Sequence, residues 1–385
     1  MIKVLSIFGT RPEAIKMAPL VKALERHEAF ESKVCVTAQH RDMLDQVLKI
    51  FDITPDYDLD IMKNRQTLTD ITTNALMGLE KVIREYQPDV VLVHGDTTTT
   101  FVGSLAAFYN KVKVGHVEAG LRTFNKYSPF PEELNRKLTG VIADLHFAPT
   151  DNAKLNLLRE GIEEECIFIT GNTAIDALKT TVNKDFQFYS TILQQLDYQN
   201  KRIIAVTAHR RENLGEPLQN ICKALKYIAE KYEDVEIVYA VHKNPAVREI
   251  ANEILGNCQR VHLLEPLDAE EMHNLMDRSY LILTDSGGLQ EEAPSLGKPV
   301  LVLRNETERP EAIEFGTLKL AGTDKDNIIK LACELLNDKT QYNKMANAVN
   351  PYGDGTASQR IIESLLYHFG KRQTRPEDFE AKVKS

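Results

Sequence analysis

Short, unbroken runs of apolar residues recur along this chain, and each is followed by a longer segment with helical spacing. Unbroken runs of Val, Ile and Leu, such as "VVLV" and "LILT", are typical of strands that are covered on both faces. Strands that alternate with helices form parallel sheets, so the pattern predicts an α/β fold. The predicted strands lie near 3–8, 33–37, 89–93, 112–116, 145–147 and 167–169 in the first half, and near 202–207, 236–241, 261–263, 280–284, 300–303 and 318–320 in the second.

The length of the chain, 385 residues, exceeds what one hydrophobic core usually holds, so two domains are expected. The stretch 172–201 is polar and lacks a strand pattern, which makes it the linker region. We predict two doubly wound, Rossmann-like domains, an N-terminal domain over 1–172 and a C-terminal domain over 173–355. A helix near 356–372 is expected to pack back on the first domain. The last, charged stretch is expected to be a solvated tail.

Composition excludes several classes of protein. The net charge of −9 argues against a nucleic-acid binder, and no apolar stretch approaches the roughly 18 residues that a membrane span needs. The first residues, "MIKVLSIFGTRPEAIK", predict a strand and not a signal peptide. The five cysteines include no C-x-x-C pair, which indicates reduced thiols without a disulfide framework or a zinc site. We therefore expect a cytoplasmic protein with no nucleic-acid or membrane partner.

Charged and polar residues follow nearly every predicted strand. The strand ends carry "GTRPEAIK", "AQHRDM", "HGDTTTT", "VEAGLRT", "TAHRREN", "VHKNP" and "TDSGG". One such strand end is usually a solvated loop, but ligands of open α/β sheets bind at the carboxyl ends of strands. Seven polar strand ends favour a shared site, with the two sheet edges facing each other across a ligand cleft.

The segment 281–312, "LILTDSGGLQEEAPSLGKPVLVLRNETERPEA", suggests what the ligand is. The Gly287 and Gly288 turn lets the backbone approach a ligand closely, and the following helix start favours an anion such as phosphate. Two glutamates are expected in the first turn of that helix, where one could hold a neutral diol. A nucleotide has both a diphosphate and a ribose diol. The alternative is an ordinary strand–turn–helix connection.

Several common sequence motifs are missing. The chain has no G-x-G-x-x-G dinucleotide fingerprint, no P-loop and no G-x-S-x-G nucleophile elbow. The histidines 94, 116, 209 and 242 come from separate strand ends without the local spacing of metal ligands, so no metal is predicted.

The strand-end motifs, together with "PFPEELNRKLT" and the whole segment 281–312, resemble the non-hydrolysing bacterial UDP-N-acetylglucosamine 2-epimerases over roughly residues 1–365. The resemblance implies a glycosyltransferase B fold with a nucleotide sugar in the cleft. It implies reversible conversion of UDP-GlcNAc to UDP-ManNAc, without a cofactor, for the synthesis of cell-surface polysaccharide. It also implies UDP as a bound intermediate product and a homodimer.

The resemblance implies a mechanism in which UDP is eliminated to 2-acetamidoglucal and then added back. The catalytic residues it implies are Asp96, Glu118, Glu132 and His209. Alternatives remain for two of them when each is taken alone. Asp96 could be a helix N-cap before "TTTT". Glu132 could interact with the helix dipole or form a surface ion pair with Arg136, four residues later.

The same resemblance implies the ligand contacts. The substrate-binding residues are Arg11, Lys16, Asp96, Glu118, Arg136, His209, Ser286, Gly287, Gly288, Glu292 and Arg309. Glu292 is expected to hold the ribose, whereas Glu291 faces elsewhere. Family members often carry Gln and Phe at the positions of Leu267 and Met272, so uracil contacts here are expected from backbone groups and apolar packing.

Bacterial members of this family are activated by a second UDP-GlcNAc, and the resemblance implies such a site here. The matching residues are Gln39, His40, Arg65, Arg210 and His242. Asp42 departs from the pattern, because relatives often carry an uncharged residue there. The alternative for Arg65 and His242 is a role as solvated loop residues.

Three other functions stay open at this stage. A glycosyltransferase of the same fold would need an acceptor groove, for which the sequence shows no apolar patch. A hydrolysing epimerase would release free ManNAc and is often fused to a kinase domain. A non-catalytic sensor of nucleotide sugars would not need Asp96, Glu118 and Glu132 together.

Overall fold

The computed structural model describes residues 1–38, 41–63, 66–307 and 309–381. The chain forms two compact units, the first from Met1–Thr180 with Tyr352–Glu380 and the second chiefly from Thr181–Pro351. Each unit contains its own parallel sheet, with helices between successive strands. The prediction of two Rossmann-like α/β domains is therefore confirmed.

The sheet of the first unit has seven strands. They are β1 (Ile2–Phe8), β2 (Phe30–Val36), β3 (Tyr57–Asp58), β4 (Val90–His94), β5 (Lys113–Val117), β6 (Leu145–Ala148) and β7 (Ile167–Ile169). Their order is β3-β2-β1-β4-β5-β6-β7, and all pairs are parallel. The strand order reverses between β1 and β4, and such a switch point is where open α/β sheets bind ligands.

The helices of the first unit begin where the sequence supplies the appropriate residues. They are α1 (Arg11–Glu25), α2 (Arg41–Ile50), α3 (Leu68–Tyr86), α4 (Thr98–Tyr109), α5 (Glu132–Ile142), α6 (Asp151–Arg159) and α7 (Thr173–Thr181). Pro12 lies in the first turn of α1, where its missing N–H is not needed. The Thr97 hydroxyl accepts the N–H of Thr100 at 3.1 Å and caps α4. These signals set the helix starts directly after the strands.

The sheet of the second unit has six strands. They are β8 (Arg202–Thr207), β9 (Val235–Ala240), β10 (Val261–Leu264), β11 (Leu281–Thr284), β12 (Val300–Val302) and β13 (Leu318–Leu320). Their parallel order is β10-β9-β8-β11-β12-β13, with the switch point between β8 and β11. The helices are α8 (Thr191–Gln195), α9 (Glu216–Lys231), α10 (Pro245–Leu255), α11 (Ala269–Arg278), α12 (Gly287–Glu292), α13 (Pro310–Glu314), α14 (Lys325–Asn337) and α15 (Lys339–Ala346).

The strands expected from the apolar runs are all present, although several bounds differ by a few residues. The sequence missed β3, which has two residues and no apolar run. It pairs with the end of β2 through Tyr57 and Cys35. No helix in the described part of the chain is both long and apolar enough to cross a membrane.

The compact units divide the chain at Thr180 and Pro351, whereas the sequence placed the boundaries at 172 and 355. Helix α7 belongs to the first unit because Ala177 lies in its hydrophobic core. The Asp176 carboxylate also accepts the N–H groups of Ala357 and Ser358 at the start of α16 (Ala357–His368). Helix α16 packs on α1 in the same core.

The segment after α16 lies along the edge strand β7. The N–H of Phe379 donates to the carbonyl of Ile169 at 2.7 Å, and the N–H of Ile169 donates to Oδ1 of Asp378 at 2.9 Å. The Arg375 guanidinium lies 4.2 Å from the centre of the Phe168 ring. The prediction of a solvated tail is wrong for these residues, because they pair backbone groups that an open sheet edge would leave unpaired.

Candidate active site

The first unit places Asp96 and Glu118 just beyond the carboxyl ends of β4 and β5. These strands are neighbours, and His94 pairs with Val117 at their ends. Glu118 has a φ of 61°, in the left-handed region that residues other than glycine rarely adopt. Backbone strain of this kind clusters at functional sites, where surrounding contacts hold it. Because β4 and β5 are neighbours, Asp96 and Glu118 lie together at the carboxyl ends of the strands.

Polar side chains from three parts of the first unit surround the Glu118 carboxylate. Its Oε2 atom forms an ion pair with Nζ of Lys16 and accepts the Asn172 side-chain N–H at 2.8 Å. Nε2 of His94 lies 3.7 Å away. Burial lowers the pKa of His94 to about 4, so this imidazole is neutral at pH 7. Lys16 is thus a cation that faces Glu118.

Arg136 joins the loop after β4 to helix α5. Its Nη2 atom lies 2.8 Å from Oδ2 of Asp96, and its Nε atom donates to the same oxygen at 3.0 Å. Its Nη1 atom donates to Oε2 of Glu133 at 3.1 Å. The Asn135 side chain donates to the Asp96 carbonyl at 2.9 Å, so α5 holds the Asp96 loop at two points.

Two alternative interpretations of these residues are wrong. Asp96 is not the cap of α4, because Thr97 takes that position. Glu132 forms no ion pair with Arg136, whose partners in the described part of the chain are Asp96 and Glu133. The Glu132 Oε2 atom is buried without a hydrogen-bond partner among the described residues. A buried carboxylate oxygen in this state is suited to a substrate proton or hydroxyl.

Arg11 supplies a further cation at the start of α1. Its guanidinium is half-buried, and it forms no hydrogen bond or ion pair with other described residues. The first N–H groups of α1 face the same end of the helix, where anions are stabilised. This end of the first unit can therefore receive a phosphate.

In the second unit, His209 follows β8 and lies against Asp285, which follows β11. Nδ1 of His209 is 3.4 Å from Oδ1 of Asp285. Oδ2 of Asp285 accepts the N–H groups of His209 at 2.7 Å and Arg210 at 2.8 Å. The His242 ring stacks on His209 with 5.2 Å between the centres. Burial lowers the pKa of His209, and Asp285 opposes that effect.

The segment that follows β11 differs from its prediction in one respect. Helix α12 already begins at Gly287, so Glu291 and Glu292 lie at its C-terminal end and not in its first turn. Gly287 and Gly288 do not have positive φ values. A Cβ on Gly287 would lie 3.3 Å from Nη2 of Arg309 and 3.9 Å from Nη2 of Arg210. The missing side chain therefore leaves room beside two guanidinium groups.

The two glutamates of α12 have different surroundings. Glu291 is buried and pairs with Nε of Arg309 at 2.6 Å, so it orients that guanidinium. Glu292 receives no hydrogen bond to its carboxylate from the described residues, and Nε2 of His273 lies 3.5 Å from its Oε2. A Cβ on Gly288 would lie 3.6 Å from Oε1 of Glu292. The Glu292 carboxylate and the two arginines thus lie near the two glycines at the start of α12.

Comparison with known proteins shows the family of this chain. Residues 22–366 match the family described as UDP-N-acetylglucosamine 2-epimerase. The UDP-N-acetylglucosamine 2-epimerase of Bacillus subtilis is 61% identical over 381 residues, which is 99% of each chain. The chain belongs to the UDP-N-acetylglucosamine 2-epimerase family. The family predicted from the motifs, and its classification as an isomerase, are thereby confirmed.

Solved structures of this family agree with the fold. A Listeria monocytogenes protein, named a putative UDP-N-acetylglucosamine 2-epimerase, has 60% identity and a TM-score of 0.93, covering 98% of this chain and 99% of its own. The Neisseria meningitidis UDP-GlcNAc 2-epimerase bound to UDP-GlcNAc has 53% identity and a TM-score of 0.86, covering 95% and 100%. Such epimerases have the glycosyltransferase B fold, which confirms that part of the predicted fold class.

Sequence reasoning missed Glu13 in this epimerase-family chain. Its buried carboxylate accepts the N–H of Gly9 at 3.1 Å and of Thr10 at 2.8 Å, and the hydroxyls of Thr97 at 2.7 Å and Thr100 at 3.2 Å. Burial raises the pKa of Glu13, and these hydrogen bonds oppose the rise. Glu13 ties the loop of Arg11 to the loop of Asp96. The signal was the T-x-x-E spacing of a capping box.

A cavity of about 470 Å³ lies in the second unit near the end of β10. Leu264, Pro266 and Leu267 line it, together with Leu263 and Glu271. Met272, the other position where the sequence departs from its relatives, is half-buried on α11. Arg248, Asn252 and Glu265 also line the cavity, so its wall is both apolar and polar. That a base here would be held mainly by packing stays a prediction.

The structure describes only some of the residues implied for the activator site. Gln39, His40 and Arg65 lie outside the described residues, and so does the side chain of Asp42. Arg210 and His242 lie in the second unit beside Gly287 and His209 respectively. His242 is exposed and stacks on His209, and its role in an activator site stays a prediction. Within the described residues, no group of three or more His, Cys, Asp or Glu side chains could hold a metal ion.

Proposed function

We propose that this family member interconverts UDP-GlcNAc and UDP-ManNAc by eliminating UDP and adding it back. The C2–H bond and the C1–O bond of the sugar break. The proton goes to a carboxylate of the enzyme, and the products are 2-acetamidoglucal and UDP. UDP then returns to C1 while C2 receives a proton on its opposite face. The product would serve cell-surface polysaccharide synthesis.

The observation that carries this proposal is the carboxylate set of the first unit. Asp96 and Glu118 each face a cation, Arg136 and Lys16, whereas Glu132 has a buried oxygen without a hydrogen-bond partner among the described residues. C2 of the sugar is not next to a carbonyl, so its proton is weakly acidic and needs a strong, well-placed base. A positioned acid or base contributes about 10²–10⁴-fold in rate. We assign Glu132 to one sugar face and Asp96 or Glu118 to the other.

The leaving group is a nucleoside diphosphate, and it needs cations that act in the transition state. Arg309 and Arg210 lie beside Gly287, where the first N–H groups of α12 have no acceptor within the helix. Arg11 and Lys16 supply cations in the first unit. Charge-assisted hydrogen bonds from such groups stabilise the diphosphate more as negative charge develops on it. The His209 ring is partly exposed and lies 3.4 Å from Asp285, so it can donate a hydrogen bond to the leaving oxygen.

In this proposal Glu292 holds the ribose, and the cavity near Leu267 holds uracil. A buried carboxylate without a donor loses its hydration, and that loss is offset when ligand hydroxyls donate to it. The ribose diol provides such donors beside Gly288. The Neisseria meningitidis relative bound to UDP-GlcNAc supports a nucleotide sugar as the ligand.

We extend the proposal to regulation by a second UDP-GlcNAc. Arg210 and His242, two of the residues implied for the activator, adjoin the His209 and Gly287 positions. An activator that contacts them would bind beside the reacting diphosphate. Coupling between two such ligands is typically about 1–3 kcal/mol.

A homodimer is part of the proposal as well. Phe108 on α4 and Val141 on α5 are exposed apolar side chains on two helices that pack together. We expect light scattering to give twice the chain mass for the wild type, and Val141→Asp to shift it towards one chain mass. Leu155→Asp, an exposed leucine on α6, is the matched control and should stay dimeric. A monomeric wild type would refute this part.

Incubation with UDP-GlcNAc in deuterated water tests the reaction itself. Because C2 loses its proton to the enzyme and regains one that has exchanged with solvent, UDP-ManNAc should carry deuterium at C2. The reaction should proceed in the presence of a chelator and without added NAD. Mass spectrometry and proton NMR at C2 are the measurements.

Two outcomes would refute the elimination mechanism. Unlabelled UDP-ManNAc would indicate a reaction in which the C2 proton does not exchange with solvent. Free ManNAc as the main product would indicate a hydrolysing enzyme. Transfer of the sugar to an added acceptor, with no epimer formed, would instead support the glycosyltransferase alternative.

A further inference from the structure

Glu292 is in an unusual state for a carboxylate. The residue is 8% exposed, yet no described residue donates a hydrogen bond to its side chain. Its one ion-pair contact within the described residues is with Nε2 of His273 at 3.5 Å. A buried carboxylate with so few partners is free to rotate unless a neighbour restrains it.

The buried His273 ring lies against a polar side chain at each of its two nitrogens. It is 3% exposed, its Nδ1 atom lies 2.7 Å from the Thr181 hydroxyl, and its Nε2 atom lies 3.5 Å from Oε2 of Glu292. The contact with Thr181 holds the ring with Nε2 facing the Glu292 carboxylate.

The helix that carries His273 is anchored beside the ring. The Asn274 side chain donates to the Thr181 carbonyl at 2.8 Å and accepts the N–H of Asn183 at 2.9 Å. These bonds fix the chain at 181–183 on α11. The imidazole therefore belongs to a helix that two hydrogen bonds tie to the segment 181–183.

We propose that His273 is a positioning residue that holds the Glu292 carboxylate for the ribose diol. The inference rests on the proposed function, in which Glu292 binds the ribose. The His273 ring lies against Oε2, restrains that side of the carboxylate and leaves Oε1, the oxygen nearer Gly288, for the ligand. His273 itself does not touch the nucleotide. It acts on ribose recognition and not on the bond-breaking steps.

The test compares the binding of UDP and 2′,3′-dideoxy-UDP by calorimetry. The wild type should prefer UDP by about tenfold or more, as expected for hydrogen bonds to a charged group. His273→Leu should remove most of that preference by weakening UDP binding about tenfold, while the Kd of the dideoxy nucleotide changes less than about twofold. His273→Gln, which keeps a polar side chain at this position, should restore much of the preference. In turnover, His273→Leu should raise KM for UDP-GlcNAc and leave kcat nearly unchanged.

His262→Leu is the matched control. His262 also pairs with a glutamate, Glu236, at 2.6 Å in the same unit, but on strands β10 and β9. This variant should keep the wild-type preference between the two nucleotides. Thermal unfolding of both leucine variants checks that the second unit remains folded.

The possible failures are distinguishable. If His273→Leu weakens both nucleotides equally, or leaves the preference intact, His273 is a structural residue and the inference is wrong while the role of Glu292 stands. If the wild type does not distinguish the two nucleotides and Glu292→Gln binds UDP normally, the ribose assignment of Glu292 is itself wrong.

Discussion

The side chain of Glu133 lies 3.1 Å from Nη1 of Arg136, and Arg136 in turn holds Asp96. Glu133 is fully buried and also accepts the backbone N–H groups of Thr123 at 3.0 Å and Phe124 at 2.9 Å. One carboxylate thus fixes both the loop after β5 and the guanidinium that faces a proposed catalytic group.

Glu133→Gln is therefore expected to lower kcat although Glu133 does not touch substrate. The amide cannot compensate Arg136, so the guanidinium and Asp96 lose their fixed geometry. We expect a fall of roughly tenfold, smaller than the effect of a lost acid or base. Steady-state kinetics on UDP-GlcNAc measures it, and Glu80→Gln, an exposed partner of Arg84, is the control. Unchanged turnover would mean that Glu133 serves only the stability of the loop.

Direct substitution of the three proposed catalytic carboxylates should cost more. Asp96→Asn, Glu118→Gln and Glu132→Gln are each expected to lower kcat by at least about 10²-fold, because each would remove a group that moves or stabilises a proton. The Kd of UDP, measured by calorimetry, should change much less. Near-normal turnover of Glu132→Gln would contradict its assignment as a proton carrier.

The sequence predicted the strand ends well because periodicity and polarity are local properties. It could not predict which side chains meet there. Asp96 and Arg136 are 40 positions apart and Lys16 and Glu118 are 102 apart, and only the sheet order brings them together. The spacing of four residues instead suggested a pair between Glu132 and Arg136. A local pattern favours the partner on the same helix when the true partner follows another strand.

Two further differences have the same physical origin. The glycine pair was expected to form a turn, but it begins α12, and a Cβ on Gly287 would lie 3.3 Å from the guanidinium of Arg309, which is distant in sequence. The charged C-terminal segment was expected to be solvated, but it covers β7 because an open strand edge has backbone groups to satisfy. Both depend on neighbours that are distant in sequence.

Low pH should destabilise the protein through three buried histidines, which lie on strands β4, β5 and β6 of the first sheet. Burial lowers the pKa of His94 to about 4, of His116 to about 3 and of His146 to about 4. The unfolded chain binds these protons below about pH 6.5, whereas the folded chain binds them only near pH 4 and below, so stability falls as the pH drops through this window. Each histidine should cost about 2 kcal/mol between pH 6.5 and pH 5.

His146→Leu tests this effect, because His146 lies outside the proposed catalytic set. Urea unfolding followed by circular dichroism should show a loss of stability between pH 7 and pH 5 that is about 2 kcal/mol smaller in the variant. His27→Gln, at a half-buried position near the end of α1, is the control for the replacement of a histidine. An unchanged pH dependence in His146→Leu would contradict the lowered pKa of His146.

The proposed activator makes a prediction about the reverse reaction. With pure UDP-ManNAc, the activator position is empty at the start, so the reaction should begin slowly and accelerate as UDP-GlcNAc forms. A trace of UDP-GlcNAc should remove the lag, since coupling of about 1–3 kcal/mol raises the affinity for the reacting nucleotide roughly 5–150-fold. Arg210→Ala and His242→Ala should weaken this response, and so should Gln39→Ala and Arg65→Ala. The lag is measured by continuous detection of the epimer, with Lys243→Ala, an exposed neighbour of His242, as the control. Full initial velocity from UDP-ManNAc alone would show that this chain works without the second nucleotide.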